Sequence, residues 1–212
     1  MTIFTSILSR VSSFFGFSLI ALLPTALLSE NTFYQASDVI EFNESSYENY
    51  LSKEDRLVLK SKQGLLNLNN NEINLFDDIE GEITLDGESY NLKAEILSGN
   101  LFDKYIYSNK KVLFEAKGFE ISSSSMKIIQ SSQEKAKIIF WDANLIKINQ
   151  KSKMRKGKAY KIELSPSKDL ILLEGNVEFY EDNMKIISDE IHYDLGKDRI
   201  LKSLNAKITN NI

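Results

Sequence analysis

Apolar and polar residues alternate along two stretches of this chain, and the two stretches share one design. The first extends from Ile79 to Leu85 and the second from Leu173 to Phe179, ninety-four positions further on, with glycine third in each. A short polar turn and a returning run with apolar residues follow both stretches. Because successive side chains of a β-strand point to opposite faces, the pattern predicts two related β-hairpins, each with one apolar face.

Short segments of the same kind fill the chain from Phe33 onward, and turn-forming residues such as the Asn69–Asn71 run separate them. The predicted strands are residues 36–43, 56–61, 65–69, 73–76, 79–85, 90–96, 105–107, 112–116, 119–122, 126–129, 136–141, 145–148, 159–164, 173–179, 184–190, 199–203 and 205–209. Outside the N-terminal segment, only Tyr47–Leu59 has apolar residues at spacings that would form a stripe along one face of a helix. We therefore expect an all-β fold of stacked hairpins, which the pattern leaves open between a sandwich, a closed barrel and an elongated folded sheet.

The inward-facing residues of the two hairpins are core residues in any of these folds. If the sheet encloses an open trough instead of a filled core, the same residues would line a ligand site. This candidate lining consists of Ile79, Ile83, Leu85, Leu92, Leu173, Val177, Phe179 and Ile186.

The composition narrows the classes of function. The chain has 212 residues, of which 42% are hydrophobic and 26% charged, so it can bury a core. Its net charge of −4 gives no electrostatic argument for nucleic acid as a partner. It has no cysteine, which excludes disulfides, thiolate metal sites, thiol nucleophiles and a lipidated N-terminal cysteine.

Residues 1–29 have the pattern of an export signal. Arg10 is their only charged residue, and an apolar run from Phe14 to Leu28 follows it. The charge-free span 11–29 is also long enough to cross a bilayer. We therefore expect a cleaved signal peptide or an N-terminal membrane anchor, followed by one β domain over residues 30–212 outside the cytoplasm.

Residues suited to catalysis or metal binding are few. His192 is the only histidine, and its place in a predicted strand is typical of a solvent-facing side chain. Asp77, Asp78 and Asp86 fall in predicted turns, where aspartate hydrogen-bonds its own backbone. Because no nucleophile–base set, phosphate loop or metal cluster can be assembled, we expect no catalytic residue, no cofactor and no metal.

Seven basic residues lie between Lys147 and Lys161. Lipid phosphates are one class of partner for such a stretch. A solvated loop is the interpretation that its composition favours.

The late part of the chain carries the motifs of a known family. They are Leu173–Val177 (Leu-Glu-Gly-Asn-Val), Asn183–Ile186 (Asn-Met-Lys-Ile) and Ser188–Leu195 (Ser-Asp-Glu-Ile-His-Tyr-Asp-Leu). This order resembles that of the OstA-like lipopolysaccharide-transport proteins, whose periplasmic members include LptA and LptC. Gly157–Ala159 is similar to the segment that precedes this unit in LptA, and Lys104–Ser108 is more similar to LptC.

The resemblance implies an elongated β-jelly-roll, open at both ends, whose trough holds the acyl chains of lipid A. Several such proteins would join into a bridge that passes lipopolysaccharide through the periplasm from the inner to the outer membrane. This chain would be the LptA-like bridge subunit or an LptC-like subunit tethered to the inner membrane by residues 11–29. The remaining alternative is a structural β-repeat protein of the cell envelope that binds no lipid.

The first and last predicted strands each lack a sequence neighbour on one side. Such edge strands expose unpaired backbone groups that another chain can complete. The segment from Ile200 to Leu204 contains neither the proline nor the acidic residue that would prevent this. We therefore expect head-to-tail association, with itself or with related Lpt subunits, through edge residues Ile40, Phe42, Ile200, Leu201 and Ile208.

Overall fold

Strands make up nearly all of the described chain. A computed structural model describes residues 39–50, 55–100, 105–116, 118–129, 136–148 and 154–210, so the expected signal or anchor segment lies outside it. The strands are β1 (Val39–Tyr50), β2 (Arg56–Asn67), β3 (Glu72–Leu85), β4 (Glu88–Asn100), β5 (Tyr105–Ser108), β6 (Val112–Ala116), β7 (Phe119–Ser123), β8 (Ser125–Ile129), β9 (Lys137–Ile148), β10 (Met154–Ser165), β11 (Leu170–Glu181), β12 (Met184–Asp194), β13 (Arg199–Leu204) and β14 (Lys207–Asn210). A 3-10 helix, Pro166–Lys168, connects β10 to β11.

The strands form one antiparallel sheet in which most strands pair with their neighbours in the chain. Strands β1 to β4 follow in order, and so do β9 to β13. Between these blocks, β5 and β8 connect one half of β4 to one half of β9, whereas β6 and β7 connect the other halves. The all-β folded antiparallel sheet expected from the sequence is confirmed.

The long strands bend near their middle. The pairing register shifts within β3 and β11, and the residues at these shifts adopt left-handed backbone conformations. The φ angles are 59° and 49° at Asp77 and Asp78, and 76° and 51° at Gly175 and Asn176. Asp142 in β9 also has a left-handed φ, of 47°. Because bulges of this kind kink a strand, the aligned bends fold the sheet over on itself.

The bends divide the sheet into two facing layers. Layer 1 consists of β6, β7, β14 and residues 46–50, 56–60, 79–85, 88–94, 143–148, 154–158, 177–181 and 184–188. Layer 2 consists of β5, β8, β13 and residues 39–43, 63–67, 72–76, 96–100, 137–141, 161–165, 170–174 and 190–194. We name the folded side the bend, and the opposite side, where the free margins of the layers face each other, the seam.

Serine hydroxyls line the inner side of the bend. Ser61, Ser108 and Ser188 are buried, and each donates a hydrogen bond to the carbonyl oxygen two residues later, at 3.0, 3.1 and 2.8 Å respectively. A buried carbonyl without a partner costs free energy comparable to a lost hydrogen bond. The three serines therefore supply partners where the regular ladder is interrupted.

Aromatic rings from the two layers meet in the core. Phe114 of layer 1 lies edge-on to Phe140 of layer 2, with 5.2 Å between the ring centroids. Phe179 of layer 1 contacts Tyr193 of layer 2, with a centroid distance of 5.6 Å. All four rings are at least 99% buried, so these contacts hold the layers together through the apolar interior.

Several expected strands are parts of longer ones. Strand β2 unites the predicted segment 56–61 with residues 65–67 of the next, and β9 unites residues 137–141 with the predicted segment 145–148. The helical possibility over Tyr47–Leu59 is wrong. Tyr47 lies in β1, and Leu57 and Leu59 of β2 alternate with outward residues, so period-two burial governs this region.

The two hairpins do not superpose at the spacing of their sequence repeat. Their two-residue loops are Asp86-Gly87 and Asp182-Asn183, whereas a spacing of ninety-four pairs Asp86 with Tyr180. Gly81 lies beyond the bend of β3, but Gly175 forms the bend of β11. A strand pattern can slide by two residues and keep its apolar side chains on the inner face, so the pattern predicted the faces but not the register.

Candidate functional site

The eight residues expected to line a trough are all buried between the layers. Their relative exposures range from 0% at Ile83, Leu85, Leu173, Val177 and Phe179 to 7% at Ile186. All except Leu173 lie in layer 1, and they pack into one continuous hydrophobic cluster. The interior between the layers is therefore apolar along its length, and in this conformation side chains fill it.

Apart from Leu173, the opposite wall was missing from the predicted lining. Layer 2 contributes buried residues that face the expected lining, namely Leu75, Leu97, Ile106, Met126, Ile128, Ile138, Phe140, Ile162, Leu164, Ile171 and Ile191. These positions alternate in segments that lack the repeated glycine motif. Ile138 and Phe140 lie two positions apart, and so do Ile162 and Leu164. This spacing, which puts each pair on one face of its strand, was the available signal of the second wall.

Gly157 allows the layers to approach closely at one point. A Cβ atom there would lie 2.8 Å from Cδ2 of Leu173, which belongs to the other layer. A glycine at this position therefore lets the leucine side chain pack directly against the β10 backbone.

The described residues of the expected basic loop lie in strands. Lys147 belongs to β9, and Arg155, Lys156, Lys158 and Lys161 belong to β10, whereas Lys151 and Lys153 lie outside the described part. The alternation of β10 places Lys156 and Lys158 in solvent but turns Arg155 inward, where its side chain is 9% exposed. For the described residues the interpretation as a loop is therefore wrong, because they lie in strands whose alternation determines which basic side chains meet water.

Arg155 belongs to an ion-pair group at the seam. Its Nε donates to Glu181 Oε1 at 3.0 Å, and its Nη1 donates to Asp198 Oδ2 at 2.6 Å. Burial is the largest single effect and lowers the pKa of Arg155, but the hydrogen bond to Glu181 and the charges of Tyr193, Glu181 and Asp198 together raise the pKa above its ordinary value. The guanidinium therefore stays charged inside the fold.

Tyr90 of β4 is a second titratable group that the fold buries. Its ring stacks on Phe114 with a centroid distance of 5.2 Å and is 5% exposed. Burial, with smaller contributions from Glu88, Asp169 and Asp86, raises the pKa of Tyr90 to about 12. The folded protein thus strongly prefers the neutral phenol.

We expect Tyr90→Phe to reduce the alkaline sensitivity of folding. Because the folded pKa lies above the unfolded value, the stability contributed by neutral Tyr90 is complete below about pH 10 and is lost as the pH rises toward about 12. Denaturant unfolding over this range should give a shallower pH dependence in Tyr90→Phe than in wild type. The control is Tyr160→Phe at an exposed position, and equal slopes in all three proteins would contradict the expectation.

The remaining candidate residues have structural partners. His192 faces outward from β12, and its Nε2 lies 2.7 Å from Glu190 Oε1. That contact, followed by Lys202, lowers the pKa of the Glu190 carboxyl. Asp86 lies in the hairpin turn as expected, but Asp77 and Asp78 lie at the bend inside β3, so their assignment to a turn between strands is wrong.

The expected edge strands lie at the two ends of the sheet. Among the described residues, β1 pairs with β2 alone, and β13 and β14 pair with β12 alone. Ile40, Leu201 and Ile208 are 46%, 51% and 61% exposed. Phe42 and Ile200 instead pack partly against the core.

No group of three or more histidine, cysteine, aspartate or glutamate residues within the described ranges could hold a metal ion. In the same part of the chain, no helix has the length and apolar character needed to cross a membrane.

Comparisons with known proteins connect this geometry to a family. The profile of a family described as LptA/(LptD N-terminal domain) LPS transport protein matches residues 58–199. The fold resembles the crystal structure of LptH, the LptA homologous periplasmic component of the conserved lipopolysaccharide transport device from Pseudomonas aeruginosa. The TM-score is 0.50 at 7% identity, over 57% of this chain and 93% of that chain, so the likeness concerns the fold alone. No curated protein matches the chain in sequence.

Proposed function

Since the chain belongs to the LptA/LptD N-terminal family of lipopolysaccharide-transport proteins, we propose that it carries lipopolysaccharide by holding lipid A acyl chains between its two layers. The observation that carries this proposal is the continuous apolar interior, in which residues of both layers are buried against one another. Such a function needs no chemical step, because the lipid is bound and passed on.

The chemistry of the interior suits acyl chains. Transferring one methylene group from water to an apolar environment is worth about 0.8 kcal/mol, so a few chains gain enough to replace contacts between the layers. Ser61, Ser108 and Ser188 make hydrogen bonds at the bend, and the side chains of the buried cluster between the layers are apolar. The sugar and phosphate groups of the lipid would remain outside, in water.

The proposal includes a location and partners. An export signal or anchor over residues 1–29 would place residues 30–212 in the periplasm. There the edges formed by β1 and by β13 with β14 would pair with related transport subunits or with further copies, so that lipid passes from the inner toward the outer membrane. A cleaved segment corresponds to a bridge subunit and a retained one to a subunit anchored in the inner membrane.

One observation favours a second function. The expected lining is at most 7% exposed, so the interior is closed as it stands. A structural β-repeat protein of the cell envelope that binds no lipid would have such a filled core.

Photo-crosslinking distinguishes the two functions. A photoreactive amino acid at Ile83 or Val177, which face the interior, should capture lipopolysaccharide in cells. The matched positions Glu82 and Glu178 are neighbours in the same strands that face outward, and they should capture little. Capture would be measured by the mobility shift of the purified protein and by detection of the attached lipid.

Equal capture from both faces would contradict the assignment of the lining. No capture from any of the four positions would favour the structural alternative. Circular dichroism of each variant confirms that the sheet is intact.

A further inference from the structure

Charged side chains from both layers meet at one place on the seam. Layer 1 contributes Lys147 from the end of β9 and Arg155 from the start of β10. Layer 2 contributes Tyr193 and the turn Leu195–Asp198, which connects β12 to β13 and which we name the strap. The strap lies across the gap between the free margins of the layers.

A single carboxylate ties the strap to both layers. Arg155 Nη1 donates to Asp198 Oδ2 at 2.6 Å, and Lys147 Nζ lies 4.0 Å from Asp198 Oδ1. The hydroxyl of Tyr193 also donates to Asp198. Lys147 Nζ makes a further hydrogen bond to the Leu195 carbonyl oxygen at 3.5 Å, so two cations of layer 1 bind one turn of layer 2.

The strap covers the apolar interior directly. The ring of Tyr193, whose hydroxyl contacts Asp198, packs on Phe179, a member of the expected lining. Leu195 is partly buried against the same core. The side chains of Lys147 and Arg155 are only 12% and 9% exposed, so they are nearly removed from water where the interior approaches the surface.

Ion pairs close a gap differently from apolar side chains. When apolar side chains close a gap, the closed state is stabilised in proportion to the apolar area removed from water. Opening the gap exposes that area and loses all of this free energy. A buried ion pair contributes little net stability, because the loss of hydration offsets most of the attraction. When such a closure opens, its charged groups regain water, so the open and closed states differ less in free energy.

We propose that the seam beneath the strap is the port through which acyl chains enter and leave the interior, and that Asp198 holds this port shut. The proposal rests on the proposed lipid-carrying function. In the closed state, Asp198 binds Arg155 and Lys147 across the gap. Movement of the strap separates them and exposes Phe179 and Tyr193, the first apolar side chains that an entering chain would contact.

The first experiment measures the strap without lipid. The amide of Leu195 donates to the Asp169 carbonyl oxygen at 2.7 Å, so its hydrogen exchange reports opening of the strap. Asp198→Asn keeps the size of the side chain and removes its charge, and it should speed this exchange about tenfold. Lys147→Gln should have a smaller effect, because its ammonium lies at 4.0 Å. Asp78→Asn, in an exposed ion pair with Lys62, is the matched control and should leave the exchange rate unchanged.

The second experiment measures entry of an apolar chain. Uptake of dansyl-undecanoic acid, followed by its fluorescence, should be several-fold faster in Asp198→Asn than in wild type. The chain has no cysteine, so the pair Lys197→Cys and Met154→Cys can be joined specifically by a bismaleimide with a reducible spacer. Both positions are exposed on opposite sides of the gap, so the crosslink should block uptake and its reduction should restore it.

The outcomes separate the port from the function on which it rests. Unchanged Leu195 exchange in Asp198→Asn would show that the ion pairs do not hold the strap. Normal uptake by the crosslinked protein would reject the port while leaving lipid binding intact. A wild type that takes up no probe would contradict the proposed function and the port together.

Discussion

Replacing Phe140 with alanine should lower the free energy of unfolding by about 3–5 kcal/mol, the usual range for truncating a buried phenylalanine. Phe140 is fully buried in layer 2 and contacts Phe114 of layer 1 edge-on. Its removal therefore leaves a cavity between the layers and takes away one of the aromatic contacts that join them. The neighbouring strands pair through their backbones on both sides of β9, so they cannot collapse freely into the space.

Urea unfolding measures this loss with a built-in probe. Trp141 is the only tryptophan and lies next to Phe140, so its fluorescence reports the transition, and circular dichroism tests whether the two signals coincide. The matched control is Ile139→Ala, because Ile139 lies on the other side of Phe140 and faces outward, half-buried. We expect a clearly smaller loss there. A loss below about 1 kcal/mol in Phe140→Ala would indicate that the layers are not held by this core.

The sequence predicted which residues face inward because alternation is a local property. Ile79, Ile83, Val177 and Phe179 are buried as the period-two pattern requires. Each needs only its own strand to define its face. The all-β class and the inward-facing residues of layer 1 follow from this pattern, whereas the choice of an elongated folded sheet came from the family resemblance.

The bends could not be predicted in the same way. Asp77-Asp78 and Gly175-Asn176 have the composition of hairpin turns, since both structures need residues that tolerate left-handed backbone. A turn reverses the chain, whereas a bend continues the strand into the facing layer, and the residue types are the same in both. The prediction therefore divided β3 at Asp77-Asp78, where the structure continues the strand, and it carried the segment 173–179 through Gly175-Asn176 without a bend.

The seam could not be predicted because its contacts are distant in the chain. Arg155 and Asp198 are forty-three positions apart, and neither belongs to a motif that specifies the other. Strand alternation does turn Arg155 inward, and an arginine at an inward position was the one available signal of a buried ion pair. Its partner depends on how the two layers fold together.

Replacing Leu201 with proline should abolish or strongly weaken association while leaving the fold intact. Among the described residues, β13 pairs with β12 alone, so its other side is available to a strand from another chain. Leu201 is the extra residue at a register shift in this pairing, where His192 pairs with Lys202 and Tyr193 with Ile200. Proline is tolerated at such bulges and edges, because no regular ladder bond depends on the residue.

The expected size of the effect follows from the backbone bonds that an incoming strand would lose. Proline removes one backbone donor, and its ring keeps the incoming strand from forming the adjacent hydrogen bond. About two hydrogen bonds of about 1 kcal/mol each are therefore lost. Association should therefore weaken at least roughly tenfold. Ile208→Pro tests the adjoining edge strand β14, which among the described residues pairs with β12 alone.

Sedimentation over a concentration series gives the result. Wild type should increase in mass with concentration, alone or with a related transport subunit, and Leu201→Pro should remain monomeric with an unchanged circular dichroism spectrum. Leu201→Ala is the matched control, because it removes the exposed side chain but keeps the backbone donor. If Leu201→Ala lowers association as much as Leu201→Pro does, the contact depends on the apolar side chain and not on strand pairing. A wild type that stays monomeric and binds no subunit would show that this edge does not join chains.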